Sequence, residues 1–300
     1  MNPLKGIITP MVTPLESSDK LDYEGLERLI EHIIKGGVHG LFILGTTGEA
    51  PSLSYRLRYE LIEKTCKQVN GRIPVLVGVT DTAFVETIKI ANYAEEQGAS
   101  SVVVAPPYYF PAGKDELAEY FCDLIKELSL PMYLYNMPSH TKAVIEPETV
   151  VMAANLPGVL GLKDSSGNLV YFHTCRRLLK EKKDFSFFIG PEETLAETLF
   201  LGADGGVSGG SNFYPELYVN IYNAARKSDW ETVRKLHDKV MQIRSTIYSV
   251  GRFGSSYLKG VKSALYNLGI CSDFMAEPFH AFREKEQKKI KGYLKEIFEG

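Results

Sequence analysis

The segment DELAEYFCDLIKEL, residues 115–128, is followed two residues later by PMYLY, residues 131–135. The first segment has apolar residues at i, i+3, i+4 and i+7, the spacing of an amphipathic helix. The second is a short, continuous apolar run that begins at a proline, which is typical of a strand covered on both faces. Together they predict a helix that leads into a buried parallel strand.

The same alternation of helical pattern and apolar run repeats along the chain. Helical patterns cover residues 23–37, 55–69, 84–98 and 115–128. Apolar runs cover residues 7–12, 40–44, 74–79, 101–105, 131–135, 159–163, 185–189 and 205–209. Eight such units in sequence, with no linker between them, predict an α/β fold, a (β/α)8 TIM barrel; an open, doubly wound sheet is the alternative.

Three further helical patterns follow the last apolar run, at residues 228–250, 255–269 and 283–300. They exceed the single helix that an eighth barrel unit requires. We therefore predict a catalytic barrel domain over residues 1–226 and a C-terminal helical appendage over residues 227–300.

Charge and cysteine usage exclude several classes of function. The 34 basic and 37 acidic residues are mixed along the chain, giving a net charge of -3 and no basic block. This predicts a small-molecule partner, with no nucleic acid and no membrane. Four scattered cysteines without a CxxC pair, and histidines without HxH or HExxH, predict a reducing compartment and no metal site. Without a signal-peptide pattern or a long apolar run, the predicted location is the cytoplasm.

The active site of such a barrel is formed at the carboxyl ends of its strands. Polar segments occupy six of these ends: GTTGE (45–49), APPYYFP (105–111), YNMPSHT (135–141), KDSSG (163–167), GPEE (190–193) and SGGSN (208–212). Their hydroxyls, phenols and backbone donors are expected to converge on one mouth.

Lys163 ends the apolar run VLGLK. Loss of hydration there would disfavour the charged form of its amine, and a neutral amine is a nucleophile that forms Schiff bases with carbonyl substrates. The alternative is a lysine that extends to solvent or pairs with Asp164.

Three neighbouring strand ends also allow two interpretations each. Tyr135 could transfer protons at the substrate or simply pack in the core. GTTGE offers two hydroxyls and backbone donors for a carboxylate, or is a plain turn; it matches neither nucleotide-binding glycine motif. SGGSN could bind a phosphate or serve close backbone packing.

The motifs GTTGE, PPYYFP, YNMP, GLKDSSG and GADGGVSGGSN occur in this order at barrel-strand spacing. Together they resemble the dihydrodipicolinate synthase and N-acetylneuraminate lyase family of pyruvate-dependent class I aldolases. The resemblance covers essentially the whole chain. It implies a (β/α)8 barrel with a C-terminal helical bundle, usually assembled as a homotetramer built from two tight dimers.

The resemblance also implies roles for individual residues. Lys163 is similar to the imine-forming lysine, Tyr135 to the proton-transferring tyrosine and Thr46 to the threonine that relays protons between tyrosines. Tyr109 is similar to the tyrosine that a dimer partner inserts into its neighbour's site. The candidate substrate-binding residues are Thr47, which would hold the pyruvate carboxylate, with Gly48, Gly190, Val207 and His140.

His140 departs from the synthase pattern, which has an arginine after YNMPS for the carboxylate of aspartate semialdehyde. Imidazole lacks the planar, bidentate fork of guanidinium. The segments APPYYFP (105–111), SLS (52–54) and GGSNFYPEL (209–217) look closest to aldolases of 2-oxo-3-deoxy sugar acids, and we favour an aldolase that cleaves or forms such an acid. A 4-hydroxy-tetrahydrodipicolinate synthase, an N-acetylneuraminate lyase, a dehydratase or deaminase using the same imine, and a non-catalytic 2-oxo acid sensor are the alternatives.

The expected reaction needs no metal or organic cofactor. The lysine imine, formed with pyruvate or another small 2-oxo acid, would supply the electrophilic assistance that a metal supplies in class II aldolases.

Overall fold

The computed structural model describes residues 3–299. Eight parallel strands close into one barrel, which confirms the predicted fold and excludes the open sheet. Each strand overlaps a predicted apolar run, and the first strand pairs with the last. The strands are β1 Gly6–Pro10, β2 Gly40–Ile43, β3 Val75–Gly78, β4 Ser101–Val104, β5 Met132–Asn136, β6 Val159–Asp164, β7 Ser186–Ile189 and β8 Gly205–Val207.

Helices cover the barrel and extend beyond it. They are α1 Tyr23–Lys35, α2 Tyr55–Val69, α3 Phe84–Glu96, α4 Lys114–Glu127, α5 Pro138–Thr141, α6 Pro147–Ala154, α7 Leu169–Leu178, α8 Leu195–Phe200, α9 Pro215–Arg226, α10 Trp230–Ser245, α11 Ser256–Asn267 and α12 Glu284–Glu299. The seven helical patterns identified in the sequence correspond to α1–α4 and α10–α12. A small antiparallel hairpin, Leu15–Ser17 with Lys20–Leu21, was not predicted.

Local side-chain chemistry sets the start of several helices. The Asp22 carboxylate accepts a hydrogen bond of 2.8 Å from the Gly25 amide at the start of α1. The Ser54 hydroxyl accepts one of 3.2 Å from the Leu57 amide at the start of α2. Such caps satisfy amide groups that have no partner within the helix.

The core has two layers. Side chains from the outer faces of the strands pack against the helices in one large cluster. Inside the barrel, a smaller apolar cluster fills the space below the mouth and includes Phe42, Tyr133, Tyr135, Phe188 and Val207. A charged side chain at this level is therefore surrounded largely by apolar atoms.

The C-terminal helices form the predicted appendage. The chain leaves the barrel at the end of α9 and enters α10 three residues later. A single 3-10 turn, Ile247–Ser249, then leads to α11, which packs against this turn and against α12. The division into two domains at residue 226 stays a prediction. In the described part of the chain, no helix has the length and apolar character needed to span a membrane.

Candidate active site

Lys163 and Tyr135 lie side by side on adjacent strands. Their Cα atoms are partners in the β5–β6 register. The Lys163 Nζ atom lies 3.6 Å from the centroid of the Tyr135 ring and 5.1 Å from that of Phe42. The amine therefore contacts the negative faces of two aromatic rings, which attract a cation.

The structure excludes both structural alternatives for Lys163. The residue is only 7% exposed, so its side chain does not extend to solvent. The Asp164 carboxylate accepts hydrogen bonds from Asn136 and Ser166 instead, at 2.9–3.1 Å. Within residues 3–299 Lys163 forms no salt bridge, so its amine remains available inside the cavity.

The Tyr135 hydroxyl connects the lysine to the loop after β2. It lies 3.2 Å from the Thr46 hydroxyl, and either group can be the donor. Burial raises the pKa of Tyr135, but the charge of Lys163 and the hydrogen bond with Thr46 outweigh it, and the net shift is downward. A phenol that loses its proton more readily than usual is suited to proton transfer.

Thr47 is held by a residue that was not predicted from the sequence. Its hydroxyl lies 3.1 Å from the Tyr257 hydroxyl, on α11 of the appendage. Thr47 is nearly buried and faces the same cavity as Lys163. The C-terminal appendage thus contacts the predicted carboxylate-binding group directly.

One cavity of about 520 Å³ opens at the carboxyl ends of the strands. Most of the predicted site residues line it, namely Thr46, Thr47, Tyr135, His140, Lys163, Gly190 and Val207. The volume lies within the range of small-molecule sites.

Gly190 is required by close packing. A Cβ atom at this position would lie 1.9 Å from the Ser165 hydroxyl, and the Gly190 amide already donates a hydrogen bond of 2.7 Å to the Asp164 carbonyl. The backbone of β7 therefore approaches β6 beside Lys163 at a distance that only glycine permits.

Two predicted residues lie outside the lining of this cavity. Gly48 does not line it, and the Gly48 carbonyl accepts a hydrogen bond of 2.7 Å from the Thr13 hydroxyl. Tyr109 is 83% exposed, has a φ angle of +84° and packs its ring against Phe110. Its predicted position in a neighbouring subunit's site stays a prediction.

The SGGSN segment uses its polar groups internally. Asn212 donates hydrogen bonds to the Pro10 and Gly209 carbonyls and accepts one from the Val12 amide, at 2.8–2.9 Å. A Cβ atom at Gly209 would lie 1.8 Å from the Tyr257 hydroxyl. These contacts favour the packing interpretation over a phosphate site.

The segment after β7 and the appendage supply the rest of the lining. Glu192 and Glu193 belong to the GPEE segment that was predicted to lie at the mouth. The sequence analysis missed the appendage residues, which include Arg244, Tyr248, Arg252, Phe253 and Tyr257. The stretch GRFGSSY, residues 251–257, has the glycine-flanked polar composition of a loop, but nothing in its spacing indicates that it reaches the mouth.

Glu192 is a buried acid in the segment after β7 that lines the cavity. Its carboxylate accepts hydrogen bonds from the Tyr218 hydroxyl at 2.5 Å, the Tyr248 hydroxyl at 2.7 Å and the Gly210 amide at 2.9 Å. Burial nevertheless raises its pKa to about 7. The group joins β7 to the appendage.

Metal-ligating side chains do not cluster in this part of the molecule. Among residues 3–299, no group of three or more His, Cys, Asp or Glu side chains is arranged to hold a metal ion. The expectation of a metal-free reaction stays a prediction.

Known proteins share this fold and part of this sequence. A structure described as dihydrodipicolinate synthase from Bacteroides thetaiotaomicron is 56% identical, with a TM-score of 0.96 over 99% of this chain and 100% of that one. YagE, a prophage protein of Escherichia coli K12 solved in complex with pyruvate, is 29% identical, with a TM-score of 0.92 over 98% of each chain. A probable 2-dehydro-3-deoxy-D-pentonate aldolase of Escherichia coli K12 is 34% identical over 81% of each chain.

The match to a family model is almost as long as the chain. The model described as the dihydrodipicolinate synthetase family covers residues 3–297. This confirms the resemblance drawn from the five motifs, and the barrel places the candidate lysine and tyrosine at the mouth where that resemblance expects them. The chain belongs to the dihydrodipicolinate synthetase family.

Proposed function

We propose that this carbon–carbon lyase uses Lys163 to form an imine with pyruvate. Through that imine it joins pyruvate to an aldehyde, giving a 2-oxo-3-deoxy sugar acid, or cleaves such an acid to pyruvate and aldehyde. One observation carries the proposal: a buried lysine without a carboxylate partner lies 3.6 Å from the ring of Tyr135, whose hydroxyl contacts Thr46. A nucleophilic amine and a proton-transferring phenol are the two groups that this chemistry needs.

The steps follow from these groups. The Lys163 nitrogen attacks the keto carbon through its lone pair, the oxygen of the resulting carbinolamine takes up a proton and leaves as water, and an imine results, which takes up a second proton. Loss of a proton from the adjacent methyl carbon gives an enamine, which attacks an aldehyde carbon and forms the new C–C bond. Hydrolysis then releases the lengthened 2-oxo acid and the free amine, and the reverse sequence cleaves it to pyruvate and aldehyde.

Tyr135 is placed to move the protons in these steps. Its lowered pKa makes the phenolate easier to form, and the phenolate can accept a proton from the carbinolamine or the methyl carbon and return it later. Thr46 can pass the proton onward because its hydroxyl both donates and accepts. Thr47, oriented by Tyr257, would hold the pyruvate carboxylate.

Assembly and location form part of the same proposal. The exposed pair Tyr109 and Phe110 suits a contact with a second copy of the chain, as a homotetramer built from tight dimers would require. All four cysteines are free, which fits the reducing environment of the cytoplasm.

Borohydride reduction in the presence of pyruvate tests the proposal. A pyruvyl adduct located on Lys163 by mass spectrometry, and missing from a Lys163→Ala variant, is the expected result. Tyr135→Phe should lower kcat by about 10²-fold or more, because general acid–base catalysis typically contributes that much. Absence of any adduct with 2-oxo acids would overturn the imine mechanism and leave the sensor alternative.

A synthase acting on aspartate semialdehyde is the second candidate, because the 56% identical structure is described as a dihydrodipicolinate synthase. His140 weakens this candidate. Desolvation, and then the charges of Lys142 and Lys163, lower the pKa of His140, so its ring is largely neutral at pH 7 and attracts a carboxylate poorly. Parallel assays with aspartate semialdehyde and with 2-oxo-3-deoxy acids separate the two, and product analysis also identifies a dehydratase or deaminase.

A further inference from the structure

Two arginines from the C-terminal appendage line the active-site cavity, and within residues 3–299 only Arg244 forms a salt bridge. The Arg244 Nε atom lies 2.9 Å from a Glu193 carboxylate oxygen, and its guanidinium also donates to the Ser249 hydroxyl at 3.1 Å. Arg244 is therefore held by the protein. Its charge is neutralised by Glu193.

Arg252 has no such partner. Within residues 3–299 it forms no salt bridge and no side-chain hydrogen bond, although it lines the same cavity as Lys163. It lies in a short loop whose start is fixed by a 2.8 Å hydrogen bond from the Gly251 amide to the Ser256 hydroxyl. Arg252 is exposed, and its five N–H donors remain available for a ligand.

The other ionisable groups of the cavity cannot replace it. Glu192 is a buried acid that accepts hydrogen bonds from two tyrosines and a backbone amide, and it supplies no positive charge. His140 has a lowered pKa and is largely neutral at pH 7. Imine formation occupies Lys163 in the proposed reaction. Arg252 is then the free permanent cation among the described lining residues.

The cavity also extends beyond the space that pyruvate requires. Its volume of about 520 Å³ continues from Lys163 to the appendage, whereas pyruvate has only three carbons. A longer substrate would be bound at Lys163 through its keto carbon. Its other end would therefore extend toward the part of the lining that the appendage supplies, which includes Arg252.

We propose that Arg252 is a specificity-determining residue that binds an anionic group, a carboxylate or a phosphate, at the end of the substrate remote from the keto carbon. The inference rests on the proposed function and names its substrate class: acidic or phosphorylated aldehydes and the 2-oxo-3-deoxy acids that they form. Guanidinium binds both anions through paired, charge-assisted hydrogen bonds.

Matched pairs of aldehydes test this assignment. Each pair has one neutral and one anionic member: glyceraldehyde with glyceraldehyde 3-phosphate, and butanal with succinic semialdehyde. In wild-type protein the anionic member should have the higher kcat/KM. Arg252→Gln should lower kcat/KM at least tenfold for the anionic members and less than twofold for the neutral ones. The pair with the larger effect identifies phosphate or carboxylate as the bound group.

Arg177→Gln, an exposed arginine on α7 outside the cavity, is the matched control and should change neither value. Borohydride trapping with pyruvate should succeed equally in wild type and in Arg252→Gln. An equal loss for neutral and anionic aldehydes, or no loss for either, would overturn the assignment while a trapped imine still supports the proposed function.

A direct binding measurement covers the case in which the proposed function itself fails. If pyruvate traps no imine, titration calorimetry with 3-phosphoglycerate and glycerate is the deciding experiment. Tighter binding of 3-phosphoglycerate that Arg252→Gln abolishes would support the anion site and overturn only the reaction. Equal binding of 3-phosphoglycerate by wild type and Arg252→Gln would overturn the anion site as well as the proposed reaction.

Discussion

Thr47 and Tyr257 join the barrel to its C-terminal appendage at the active site. Their hydroxyl oxygens are 3.1 Å apart, although the two residues are 210 positions apart in the sequence. Tyr257 also packs edge-on against Tyr248, with ring centroids 4.8 Å apart, and Tyr248 donates a hydrogen bond to Glu192. A helix outside the barrel thus fixes the orientation of a hydroxyl inside its mouth.

Tyr257→Phe should weaken pyruvate binding without unfolding the protein. Loss of one neutral hydrogen bond corresponds to roughly 1 kcal/mol, so KM for pyruvate should rise about fivefold while kcat changes less. Steady-state kinetics measure this split. Tyr266→Phe, an exposed residue on the same helix, is the control; an unchanged KM in Tyr257→Phe would contradict a positioning role for Tyr257.

The glutamate of GTTGE forms a buried ion pair. Glu49 and Lys262, 3% and 1% exposed, are 2.5 Å apart; the ammonium also donates to the Phe274 carbonyl and the carboxylate accepts from the Ala276 amide. Lys262→Met leaves a buried carboxylate without its counterion and should lower the free energy of unfolding by about 3–5 kcal/mol. Denaturant titration measures this loss.

A double-mutant cycle isolates the pair itself. Because Glu49→Gln removes the unpaired charge, the double variant Glu49→Gln with Lys262→Met should lose less stability than the sum of the single changes. Lys259→Met, a less buried lysine on the same helix, controls for loss of helix surface charge. Strict additivity would contradict the ion-pair interpretation.

Glu192 should make stability depend on pH near neutrality. Burial raises its pKa from 4.5 to about 7, so the folded state retains a proton that the unfolded state has already lost. The contribution of Glu192 is therefore complete below about pH 4.5 and declines as the pH rises through 7, with a slope of at most about 1.4 kcal/mol per pH unit.

Glu192→Gln removes this titration. The difference in Tm between wild type and variant, measured from pH 5 to pH 8, should become steadily less favourable to the wild type. A difference that stays constant, or grows, over this range would contradict the raised pKa. Glu193→Gln is the adjacent control, because Glu193 is partly exposed and paired with Arg244.

Hybrid subunits test whether Tyr109 acts in a neighbouring site. Tyr109→Ala and Lys163→Ala should each abolish most activity, because one lacks the inserted phenol and the other the nucleophile. When the two variants are refolded together, a mixed dimer places an intact Lys163 beside an intact Tyr109 in one of its two sites. Activity should therefore return in the mixture.

The return should approach a quarter of the wild-type activity, since about half of randomly mixed dimers are hybrids with one functional site each. Each variant refolded alone gives the baseline. If the mixture stays at that baseline while size-exclusion chromatography shows dimers or larger assemblies, Tyr109 does not complete its partner's site.

The barrel and the candidate pair Lys163 and Tyr135 could be predicted from local patterns. Apolar runs such as 159–163 identify parallel strands because those strands are buried on both faces, and eight in sequence leave few topologies. Lys163 and Tyr135 could be assigned to one mouth because parallel strands end on the same side of the barrel. Two alternatives for Lys163, solvent exposure and pairing with Asp164, could be excluded only from the three-dimensional contacts.

The sequence by itself therefore determined the fold class, the strand that carries Lys163 and the family. Tertiary structure decided which side chains complete the site. Tyr257 contacts the Thr47 hydroxyl, Glu192 links the segment after β7 to the appendage, Gly48 lies outside the cavity lining, and Arg252 forms no salt bridge within residues 3–299. The physical reason is the distance along the chain over which each kind of interaction acts. Hydrophobic period and turn chemistry act between neighbours in the chain, whereas these contacts depend on how the C-terminal helices pack on the barrel, and no local pattern encodes that packing.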